Sequence, residues 1–156
     1  MRLPLIRRLV LGLVLLLAAV VAGGSGKLRP PRRPSQGQAA GQFLRAVLRA
    51  DYAAAYSRLA PEVRRGVSLP RFTTAAYPLW KSGQRRGPQI ELYKLGIRLE
   101  ASGSSRLFYD FSFVRDSAVK PPPAVLEVVF RDTAARAVLG FALRPVQRPT
   151  QGKTRP

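Results

Sequence analysis

IELYKLGIRLEASGSSRLFYDFSF, residues 90–113, is the stretch that decides the fold class. Apolar side chains recur there at every second position. Tyr93, Leu95, Ile97 and Leu99 share one side of the first run; Leu107, Tyr109, Phe111 and Phe113 share one side of the second. Period two is the signature of a strand with one buried face. ASGSS between the runs reverses the chain, so they predict an antiparallel pair. Ile90 and Leu92 fall out of phase with Leu95, which predicts a bulge near Tyr93.

The same period continues downstream. After RDSAVKPPP, residues 124–130 form a third strand; a turn at Asp132–Ala135 leads to a fourth, with Ala137, Leu139, Phe141 and Leu143 on one face. Upstream the period becomes helical. Phe43, Leu44, Val47 and Leu48 begin an apolar stripe, and Tyr52, Ala55, Tyr56 and Leu59 continue it. Asp51 either caps a second helical piece or sits on the wet face of one continuous helix. Pro61 opens a short turn of helix through Arg65. Ser68 caps a further helix with Leu69, Phe72, Ala76, Leu79 and Trp80 on one face, which Pro78 is expected to kink or end early. Helices followed by a meander define an α+β domain: N-terminal helices packed on one face of a curved, four-stranded antiparallel sheet.

The two ends are different in kind. Arg2, Arg7 and Arg8 precede an unbroken apolar run of 14 residues, Leu9–Ala22, and small residues follow it. This is the layout of a secretory signal or a single membrane anchor over residues 1–24, with Val20 and Ala22 placed for cleavage after Ala22. The expected location is therefore extracytoplasmic: periplasmic or secreted, or tethered to the inner membrane by residues 3–24. Residues 25–39 are rich in Pro and Arg and read as a linker; residues 146–156 read as a disordered basic tail. The domain is then expected over 40–145. GSGK at 24–27 lacks the first Gly, the Ser or Thr and the preceding strand of a phosphate loop.

Composition excludes several chemistries. The chain of 156 residues has no Cys, so disulfides, thiolate metal sites and an acylated lipoprotein anchor are out. It has no His, which removes Ser–His–Asp triads and the usual metalloprotease motifs. No metal or cofactor is expected. The net charge of +19 invites a nucleic-acid reading. The distribution argues against it, because seven of the 27 basic residues precede Ala40 and three follow Pro145. Groove-reading and RNA-binding motifs are also absent. Arg64 and Arg65 on one side and Arg85 and Arg86 on the other, with Lys81, flank the helix that Ser68 opens and are candidates for a basic patch facing anionic lipid or polymer.

FLRAVLRADYAAAYSRLAPEVR, residues 43–64, followed by SLPRF at 68–72 and four strands, resembles small exported bacterial members of the nuclear transport factor 2-like (cystatin-like cone) superfamily. The resemblance covers residues 40–144, and its motifs mostly report packing. It implies a pocket where the helices meet the concave sheet. Tyr52, Tyr56, Phe72, Tyr77, Trp80, Tyr93, Tyr109 and Phe111, with Phe113 beside them, are the candidate lining, offering apolar walls with hydroxyl and indole donors. Dehydratase-type members use a His–Asp pair, which this chain lacks. Isomerase-type members use an Asp base with a Tyr and a second acid, and no position here matches that motif. The strand acids Glu91, Glu100, Asp110 and Glu127 are expected on the wetter faces, ion-paired with nearby arginines. The expectation is a non-enzymatic envelope domain that binds a small apolar ligand or a partner protein, compatible with a homodimer. The alternatives are a cofactor-free isomerase or lyase using a buried carboxylate and Tyr, and a basic envelope-surface interaction protein.

Overall fold

The computed structural model describes residues 33–147 except Ser102. The expected signal or anchor, most of the linker and nearly all of the tail lie outside the described residues. Contacts divide the chain into residues 1–33 and 34–156, and every helix and strand among the described residues belongs to the second unit.

Helix α1, Gln36–Leu48, begins four residues before the expected start at Ala40. The reason is a reciprocal cap whose signature, S-x-x-Q, stands in the polar SQGQ stretch: Ser35 Oγ accepts from the Gln38 backbone N–H at 3.2 Å, while Gln38 Oε1 accepts from the Ser35 N–H at 2.8 Å. The helix buries Ala40, Phe43, Leu44, Val47 and Leu48. Ala50 takes a positive φ of 60°, and Asp51 then caps α2, Tyr52–Ser57, by accepting from the Ala54 N–H at 3.2 Å. The helical stripe is thus two pieces. Pro61 opens α3, Pro61–Gly66. Helix α4, Leu69–Arg86, runs unbroken through Pro78. Pro78 lies on the exposed side, where the carbonyl that its missing N–H would have served can bond to water instead. The helix stops at Gly87, whose φ of 88° favours a residue without a Cβ.

Four strands follow: β1 Ile90–Leu99, β2 Ser105–Phe113, β3 Ala124–Phe130 and β4 Gly140–Pro145. They form one antiparallel sheet in the order β1-β2-β3-β4. The architecture is α+β, as the periodicity requires. The register of β1 on β2 shifts between Leu92 and Lys94, so Tyr93 is the extra residue of a bulge. Tyr93 therefore leaves the apolar row, and Ile90 and Leu92 join Leu95, Ile97 and Leu99 on the side of Tyr109 and Phe111. Strand β4 begins three residues later than expected. Val138 is drawn instead to the α2–α3 junction, donating to the Arg58 carbonyl at 2.9 Å and accepting from the Ala60 N–H at 2.7 Å. Between sheet and helices the core is close-packed: Phe43, Phe72, Phe113, Phe130, Leu126 and Val128 are fully buried, with Phe43, Phe72 and Phe141 in mutual ring contact at 5.3–6.2 Å.

Candidate functional site

The eight aromatic candidates do not line one cavity. Phe72 and Phe111 are buried core. Tyr56 packs edge-on against Phe72, and its hydroxyl donates to the Arg64 and Val67 carbonyls at 3.1 and 2.8 Å, tying α2 to the end of α3. Tyr109 packs edge-on against Phe130 and donates to Gln36 Oε1 at 3.3 Å. Gln36, which no sequence pattern singles out, is buried because its amide also donates to the Asp132 and Ala135 carbonyls at 2.7 Å each. Two of the hydroxyls expected to orient a ligand, those of Tyr56 and Tyr109, are thus engaged in holding the fold. Tyr77 and Trp80 pair at 5.4 Å on α4, with Tyr77 half-exposed. Tyr52 lies near enough to feel Tyr77: burial, then the Tyr77 charge, raises its phenol pKa above the ordinary value. Tyr93 stands exposed at the sheet edge.

The basic candidates sit on two successive helices. Arg64 and Arg65 precede α4, whereas Lys81, Arg85 and Arg86 lie near its other end. Arg86 is also occupied: it pairs with Asp116 at 3.4 Å, donates to Ser82 Oγ at 3.2 Å and lies 5.6 Å from the Phe113 ring centre.

Glu91, Asp110 and Glu127 lie on the sheet face away from the helices, as alternation requires, and Glu100 lies just past β1, but two of these acids are not wet. Glu127 is 2 % exposed and Asp110 is 9 % exposed, and they stand directly opposite each other on β3 and β2. Glu127 is clamped from both sides, by Arg98 at 2.6 Å and Arg144 at 2.9 Å. Arg98 reaches it from β1 by crossing β2, lying 5.2 Å from the centre of the Phe108 ring. Gly96 makes this crossing possible, since a Cβ there would come within 2.7 Å of the Phe108 ring. The hydrogen bond to Glu127 holds the Arg98 guanidinium above its ordinary pKa. Asp110 Oδ1 is buried without a hydrogen-bond partner among the described residues. Burial first, and the Glu127 charge second, push its carboxyl up from the ordinary value; Lys94, Arg144 and Arg98 pull it partly back. Asp110 and Tyr109 are successive residues of one strand and face opposite ways. A carboxylate–tyrosine pair on the aromatic side is therefore not assembled from them.

The described residues also carry an apolar groove and an open strand row. Leu59, Val63, Val67, Phe72, Ala75, Leu139, Gly140 and Phe141 line an apolar groove of about 260 Å³ between the helices and β4, just under the usual range for small-molecule sites of about 300–1,000 Å³. The larger anomaly is β1. It is an edge strand, and the side chains that should be its buried row are open: Leu92 49 %, Leu95 55 %, Ile97 63 % and Leu99 79 % exposed. Aligned on one face, they offer a contiguous apolar patch on the order of a few hundred Å², the size that marks interaction surfaces.

The chain matches no protein-family model, no curated protein and no solved structure. No group of His, Cys, Asp and Glu suited to a metal ion occurs among the described residues, and no helix among them is long and apolar enough to cross a membrane.

Proposed function

We propose that this chain is an extracytoplasmic, non-enzymatic binding domain, exported or tethered by residues 1–24, that takes up a partner protein along β1. The carrying observation is the open row Leu92, Leu95, Ile97 and Leu99 on a strand whose outer edge has no neighbour among the described residues. A free edge offers backbone donors and acceptors to an extended segment, and an exposed apolar row offers that segment's alternate side chains a surface. The element order, helices and then an antiparallel meander, supports the nuclear transport factor 2-like reading.

The chain has no Cys, so single introduced thiols report cleanly. In intact cells expressing the full chain, a membrane-impermeant maleimide should label Ala134→Cys, which lies in an exposed turn. It should leave Leu95→Cys unmodified until the cells are dissolved in denaturant. An unlabelled Ala134→Cys would refute the location. Equal labelling at both positions would refute an occupied β1 face.

A further inference from the structure

We propose that the segment seated on β1 is the β1 of a second copy of this chain, joined antiparallel about a two-fold axis through Ile97. The inference rests on the reading of β1 as an occupied edge and names the occupant.

The free edge has natural limits. The bulge between Leu92 and Lys94 interrupts it at one end, and the turn that begins at Glu100, whose N–H donates to the Ser104 carbonyl, ends it at the other. The regular stretch is Lys94–Glu100, and its middle residue is Ile97. Pairing this stretch with itself about Ile97 sets Ile97 against Ile97 and Leu95 against Leu99 on the apolar face. On the opposite face it sets Lys94 against Glu100 twice, and Arg98 against Gly96. Every apolar residue meets an apolar one, and the Lys94 ammonium meets a carboxylate. Lys94 has no ion pair within its own chain among the described residues. Glu100 binds Arg106 at 2.8 Å and accepts from Ser104 at 3.2 Å, leaving lone pairs for a further donor.

Neighbouring registers fail. A two-fold through Gly96 sets Lys94 against Arg98 twice, and one through Arg98 sets the two Arg98 side chains against each other. A slip by one residue turns the apolar row of one copy against the charged face of the other. Among alignments that pair more than three residues of Lys94–Glu100, the charges on this edge thus leave one open. An isologous pairing also consumes both edges, so the assembly closes as a dimer instead of growing. Six apolar side chains and two strand edges bury on the order of 1,000 Å², the low end of specific interfaces. A weak dimer follows, favoured where a membrane or envelope concentrates the chain.

The test is a cysteine scan of the full chain in the membranes or envelope of expressing cells, with mild oxidation read on non-reducing gels. Paired residues bring their Cα atoms to about 4.5–5.5 Å, within disulfide reach. Ile97→Cys should cross-link to itself. Leu95→Cys and Leu99→Cys alone should not, because each lies about 13 Å from its own copy, but the two co-expressed should link to each other. Lys94→Glu should weaken self-association of the full chain in detergent roughly tenfold, by reversing two exposed ion pairs, and Lys94→Glu with Glu100→Lys should restore it. Self-linking at 95 or 99 as fast as at 97, no restoration by the double exchange, or a monomer at about 100 µM would overturn the dimer. If Leu95→Cys is nonetheless protected in cells, the binding role stands and its partner is another protein.

Discussion

The clamp on Glu127 should respond unequally to removal of its two sides. Its carboxylate is 3 % exposed, whereas the Arg98 and Arg144 side chains are 43 % and 50 % exposed. Removing the negative charge with Glu127→Gln leaves two guanidiniums that can turn to water. It also relieves the repulsion on Asp110 across the strands. The cost is the charge assistance of two hydrogen bonds, offset by that relief, or about 0–2 kcal/mol. Removing the positive charges with Arg98→Met and Arg144→Met leaves a carboxylate buried beside a second buried carboxylate. Breaking a buried pair from this side costs about 3–5 kcal/mol.

Thermal unfolding of the full chain, followed by circular dichroism at neutral pH, should separate the two changes. At about 4 °C per kcal/mol for a domain of this size, the double arginine variant should melt about 12–20 °C lower than the parent, and Glu127→Gln less than about 8 °C lower. Equal losses, or a larger loss for Glu127→Gln, would refute the view that burial of the carboxylate, and not the ion pairs as such, sets the energetics.

Two further outcomes concern single positions. The Asp110 carboxyl is raised by burial, so the folded state holds its proton more tightly than the unfolded chain; its contribution to stability is greatest below the ordinary value of 3.8 and is lost as pH rises through the folded pKa. Asp110→Asn, whose amide can donate towards Glu127, should therefore raise the melting temperature at pH 7 and give no gain below about pH 3.8, as pH-dependent melts would read. Phe72→Ala should cost about 3–5 kcal/mol in urea unfolding; because Phe72 also walls the groove with Val63, Val67 and Leu139, the void should open into it, and saturating indole should recover part of the loss.

Much of the fold is legible in the sequence because its signals are local. Phe43, Leu44, Val47 and Leu48 sit at helical spacing and are all buried. The phase slip between Leu92 and Leu95 foretells the bulge, since one extra residue is the simplest way to keep both apolar runs on one face. What cannot be read depends on partners distant in the chain. Gln36 reads as linker because its polarity is visible, whereas the carbonyls that satisfy it lie 96 and 99 residues away. Glu127 alternates with Leu126 and Val128 and so faces outward as expected. Its burial comes from two arginines on other strands, one of them reaching across β2. The aromatic set rests on composition, which does not distinguish a ring that walls a cavity from one that fills it; ring contacts at 5.3–6.2 Å show filling for Phe43, Phe72 and Phe141.

Strand β1 joins the two unusual features of this domain. Its apolar row contributes little to the core, so within one copy β1 is held by its ladder to β2 and by what its other face grips. That grip is Arg98, laid over Phe108 and fixed to Glu127 two strands away, with Lys94 5.9 Å from the same ring centre. A segment with few buried apolar contacts opens at low free-energy cost, and the Arg98–Glu127 tie is what raises that cost. The same tie keeps the Arg98 guanidinium drawn inward, above its own sheet, and so leaves the edge beside Gly96 clear for an approaching backbone. Loosening Glu127 would then do two things to one surface: let β1 fray, and free a cation to swing over the edge where the proposed second strand would lie. The buried ionic cluster on one face of the sheet and the open apolar row on the other thus share a single strand, β1, through Arg98.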